Sequence, residues 1–137
     1  MPDAEFRYSS DVKPALALLV VTASIVVGGR ADAHHRLSEV YKENTQISIE
    51  GEVAEWEYRN PHSFVHVIVR DAHNRAQQWI VECGGAQQLT RLGVTAATLK
   101  PGQYVIVTGS PGRVEADRRL RLRAIVRPQD GLTWSDR

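Results

Sequence analysis

Five stretches of this chain alternate apolar and polar residues with a period of two, and one stretch between the third and fourth is spaced as a helix. That order constrains the fold more than any other feature. From Thr45, Ile47, Ile49, Gly51 and Val53 face one way with Ser48, Glu50 and Glu52 opposite, and Trp56 and Tyr58 then take the apolar role. A change of phase beside a strand glycine predicts a bulge in one long, bent first strand. Asn60-Pro61 ends it. The second strand, His62 to Arg70, carries Val65, Val67 and Val69 on one face, and residues 71–75 form a hairpin loop. The third, Gln78 to Cys83, aligns Trp79, Val81 and Cys83.

Gly84-Gly85 precedes two helical turns from Ala86 to Leu92, stopped by Gly93, and Thr95 is placed to cap a further single turn. After the Lys100-Pro101-Gly102 turn come a fourth strand, Tyr104 to Gly109, a loop over residues 110–117, and a fifth strand, Leu120 to Arg127. Three strands, a helix, then two strands is the order of the OB-fold, a small, partly open five-stranded barrel with the helix plugging one end. The expected fold is therefore all-β with little helix. Its expected core joins Val65, Val67, Trp79, Val81, Val105 and Val107, closed by Leu89 and Leu92.

Upstream of the barrel, the apolar run from Leu16 to Val27 leads into Ala31-Asp32-Ala33, the small-residue pattern that signal peptidase cuts after. A membrane-spanning helix needs about 20 apolar residues, and this run is shorter. Residues 1–33 are thus read as a signal peptide, 34–44 as a polar arm, 45–128 as the barrel and 129–137 as a tail, in a periplasmic or secreted protein without a retained anchor. Removing residues 1–33 leaves 104 residues with a net charge of +2, enough for one core without disulfides and too balanced for an obligate polyanion binder. Cys83 is the only cysteine, so no internal disulfide is possible.

Several of these segments form a recognisable set: the His34-His35 start, Glu55-Trp56 followed by Asn60-Pro61-His62, Leu89 to Gly93, the Leu99 to Gly102 turn and the strand Val105 to Gly109. With them the chain resembles the DUF6152 family of small exported proteobacterial proteins of unknown function. The resemblance implies export and a compact β-barrel, and it implies no reaction.

Cleavage after Ala33 would leave His34 at the amino terminus, where its amine and ring nitrogen chelate one metal and a second imidazole adds a third nitrogen. All-nitrogen tetragonal sites suit Cu(II). Cleavage after Ala31 would instead put His34 third, where the amine, two deprotonated amides and the imidazole can wrap Cu(II) or Ni(II) in a square plane. His35 or His62 is the expected further ligand. His66 shares a strand face with His62, but four residues separate them by about 13 Å, too far for one ion.

Trp56 and Tyr58 form a second candidate, an aromatic platform at the barrel mouth. With the one-sided stripe Arg119, Arg121 and Arg123 it suits a glycan, an anionic ligand or an envelope partner. Glu55, Glu57 and Glu82 invite an acid–base reading, but acids alternating along a strand usually form a wet face. No nucleophile–base pattern, phosphate loop or dinucleotide fingerprint is present, so the expectation is a binding module without catalysis.

Overall fold

A computed structural model describes residues 37–136. The expected processing site, His34 and His35 lie outside the described residues. Strands β1 (Ile47–Glu57), β2 (Phe64–Arg70) and β3 (Ala76–Glu82) form an antiparallel meander, followed by helix α1 (Ala86–Arg91). Strands β4 (Tyr104–Pro111), β5 (Arg119–Arg127) and β6 (Leu132–Ser135) complete the sheet, in the order β3-β2-β1-β4-β5-β6. A parallel pairing of β3 with β5 over three residue pairs, Ile80↔Arg119 to Glu82↔Arg121, joins the ends of the sheet. The five strands β1–β5 thus close into a mixed barrel of OB-like topology, with α1 between β3 and β4.

β1 can serve both β2 and β4 because it bends. Its register against β2 slips between Val53 and Glu55, two residues beyond Gly51. A Cβ built at Gly51 would lie 2.1 Å from the Ile68 carbonyl oxygen, so only glycine lets the two backbones approach there. The bulge explains why the inward residues run Ile49, Gly51 and Val53 and then change phase toward Trp56 and Tyr58.

Val53, Val65, Val67, Val81, Cys83, Leu89, Val105, Val107, Leu120, Leu122 and Ile125 are buried in one cluster, as strand alternation requires. Two expected core positions differ. Trp79 is only partly buried, packed against the edge of the core, and Leu92 is half exposed. α1 is too short to turn both leucines inward, so Leu89 points in, and Val94 and Leu99 from the following loop complete the plug. Thr95 caps the turn after the helix as expected, its hydroxyl accepting from the Ala97 N–H.

Both flanks of the expected barrel carry structure. Residues 129–137, read as a tail, contain β6, which pairs with β5 and buries Trp134 beside Trp56. Its alternation covers four residues, too short a window to read from sequence. In the expected arm, residues 37–40 are helical, and Tyr41 is 1% exposed and bridged to Gly112.

Candidate functional site

The β1–β2 loop, the end of β3, the start of β5 and the segment containing Tyr41 meet on the outer surface of the barrel. Asn60 and Pro61 rest against the start of α1, where Gly85 has no room for a side chain: a Cβ there would lie 2.5 Å from the Pro61 carbonyl oxygen. The Asn60 side-chain oxygen accepts from the Gln87 N–H and the Arg59 carbonyl accepts from the Ala86 N–H, so the loop itself caps the helix. This anchored loop delivers His62 to Glu82.

Glu82 is the hub. Its Oε1 is hydrogen-bonded to His62 Nδ1, and its Oε2 accepts from the Tyr41 hydroxyl at 2.6 Å. Arg121 lies 3.5 Å from Oε1 and Arg119 3.8 Å from Oε2. Burial alone would push the Glu82 carboxyl up. Hydrogen bonds from Tyr41 and His62, with the charges of His62 and Arg121, outweigh burial and hold it below the usual range. For Tyr41, burial and then its bond to Glu82 push the phenol well above its ordinary value, so it stays a donor. An ionised Glu82 can only accept, which places the shared proton on His62 Nδ1. Nε2 is left without a partner among the described residues, on a side chain 40% exposed.

The three arginines expected as an outward stripe do share a face, but that face is furnished with acids. Arg121 also lies 3.8 Å from Asp136, whose other oxygen accepts from Gln88 at 2.8 Å, and Arg123 donates to Ser110. Trp56 and Tyr58 are packed against the core, 5.7 Å apart. The Trp56 indole donates to the Thr95 carbonyl, and the Tyr58 hydroxyl sits among Ala86 O, Val94 O and Thr90 Oγ1. Their polar atoms tie the α1 loop to the barrel end.

A second cluster lies farther along β1 and β2. Ligand-capable atoms of Glu55, Glu57 and His66 lie within 4.8 Å of one another. Both His66 nitrogens are engaged, Nε2 with Glu57 at 2.7 Å and Nδ1 with Gln78 at 2.8 Å, and Glu57 also meets Arg59 at 3.0 Å. Cys83 is fully buried, and burial pushes its thiol far above the ordinary value. Ser63, next to His62, is buried with its hydroxyl bonded to the Arg59 backbone.

The fold and this surface define a small closed OB-like barrel carrying a carboxylate-oriented imidazole. The family model DUF6152, a family of unknown function, matches residues 22–120, and the chain belongs to that family. Among solved structures, the chain is similar to the mitochondrial single-stranded DNA-binding protein Rim1 of S. cerevisiae. Identity is 12% with a TM-score of 0.45, and the match covers 68% of this chain and 97% of that one. Comparison with curated proteins finds no match.

Proposed function

We propose that this protein is an exported, non-catalytic metal-binding module that takes Cu(II) on imidazole nitrogen. The candidate ligands are His62 on the barrel and, at a processed start, His34 and His35. The observation that carries the reading is the His62–Glu82 hydrogen bond. A carboxylate on one ring nitrogen holds the ring in a single orientation and raises the basicity of the other, the arrangement that usually backs a metal-bound histidine.

The local charge narrows the choice of metal. Arg119, Arg121 and Arg123 outnumber Glu82 and Asp136, so a hard cation relying on carboxylate oxygen is disfavoured there. An ion bound covalently through nitrogen is less penalised, and Cu(II) heads the order of affinity for such ligands. The pairing of Arg119 and Arg121 with those acids weighs against anion capture by the stripe. Ser63, with its hydroxyl occupied, offers no nucleophile for a hydrolytic role of His62.

A Cu(II) titration followed by EPR tests the reading, on protein exported and processed to its own amino terminus as verified by intact mass. His62→Ala is expected to lower affinity about tenfold or more, and Glu82→Gln by a comparable factor through loss of ring orientation. One residue added before His34 is expected to abolish the amine chelate. Binding is expected to weaken below about pH 6, because imidazoles must be neutral to ligate. Identical spectra and affinities for the processed protein, the extended protein and His62→Ala would overturn the proposal.

A further inference from the structure

The two ends of the barrel are closed differently. At one end α1, Val94 and Leu99 form the plug. At the other, where β1 begins and β4 ends, a cleft of about 220 Å³ opens between the β4–β5 loop and the segment before β1. Its apolar wall is Ile47, Trp79 and Pro111, and Lys42, Arg118 and Arg119 bring positive charge to it. Glu115 opposes them among the lining residues and Glu82 lies 3.8 Å from Arg119, leaving a net excess of one cation. Arg119 Nε is buried without a hydrogen-bond partner among the described residues. Val114, also on the lining, is 58% exposed although apolar.

We infer that this cleft is a binding site for a small aromatic carboxylate. The volume sets the size: a cavity of about 150 Å³ holds a benzene ring, so the cleft accommodates one ring and a short acidic arm. The indole of Trp79 and the ring of Pro111 offer an apolar slot for a flat body. The excess cationic charge selects for an anion, and Arg118 is suited to a carboxylate because its guanidinium presents a planar fork of donors, whereas Arg119 is already shared with Glu82. The exposed Val114 gains cover when the slot fills. The site adjoins the His62–Glu82 surface through Arg119 and does not require copper.

The probe is 3-phenylpropionate, followed by NMR through the Trp79 indole signal of the metal-free protein and compared with the neutral alcohol 3-phenylpropan-1-ol. Saturable binding with a dissociation constant on the order of 1 mM or tighter is expected, with the alcohol about tenfold weaker. Val114→Asp places a like charge at an exposed position and is expected to weaken binding about tenfold without lowering the melting temperature. Leu92→Asp, at the plugged end, is expected to leave it unchanged. Three results would each overturn the inference: no saturable binding, equal binding of acid and alcohol, or equal binding by Val114→Asp. Concentration-dependent dimerisation lost in Val114→Asp, with no response to the acid, would assign the cleft to a second copy of the chain and overturn it too.

Discussion

Replacing Val67 with aspartate is expected to leave no cooperatively folded protein. Val67 is 0% exposed, opposite Val53 on one side and Trp79 on the other, at the centre of the three-strand meander. Removing the isopropyl group forfeits about 1.5–3 kcal/mol of apolar burial. The new carboxylate would have no partner in that interior, and burying it unpaired costs several kcal/mol more. A domain of this size is stable by only about 5–15 kcal/mol in total, so the sum consumes most or all of it. Loss of the thermal transition checks this. Val67→Ala, which removes methyl groups without adding charge, should still melt cooperatively at a lower temperature. A Val67→Asp protein that melts like the wild type would show that the β2 side chains face the other way.

Glu82→Ala should destabilise the fold by about 3 kcal/mol, at the lower end of the cost of breaking a buried ion pair because His62 and Arg119 are partly exposed. The substitution strips the buried Tyr41 hydroxyl of its acceptor and leaves Arg121 facing Arg119 without the intervening carboxylate. Chemical denaturation in the presence of a chelator measures the loss apart from any metal effect. The pH dependence has a definite sign. Because the folded state holds the Glu82 carboxyl below its ordinary value, its contribution is fully present above the unfolded value, near 4.3, and fades as pH falls through the folded value. The gap between wild type and Glu82→Ala should therefore be largest near neutrality and narrow below about pH 4. A constant gap would mean that the carboxylate charge is not what holds this surface together.

The strand order and the inward faces of β2, β3 and β4 were legible because alternation is a local property and each face is either inside or outside. The bulge in β1 was legible as well, from Gly51 and the change of phase that follows it. β6 was not, since four residues after a turn carry too little pattern. Leu92 was misplaced because helical spacing says which residues share a face, not how far a six-residue helix can reach. For the site, His62 could be singled out by its place after Asn60-Pro61. Its partnership with Glu82 could not, because Glu82 reads as one more acid on an alternating strand. Only closure of the barrel brings β3 against β5, and only the segment around Tyr41 covers the carboxylate. Arg119, Arg121 and Arg123 were correctly placed on one face, but the counter-charges of Arg119 and Arg121 come from β3 and from the residue after β6, contacts that no local pattern encodes.

The parallel splice of β3 to β5 also bears on how the molecule avoids its own copies. A closed barrel has no free edges along its seam, and a seam of three residue pairs is where edges would first appear if the ring opened. Each edge exposed in that way would carry its own charge, Glu82 on one and Arg119 and Arg121 on the other. Two copies meeting edge to edge through the same strand would oppose like charges, whereas β3 and β5 of one chain oppose unlike ones. The charges across the seam thus act as a sorting rule that favours reclosure over aggregation.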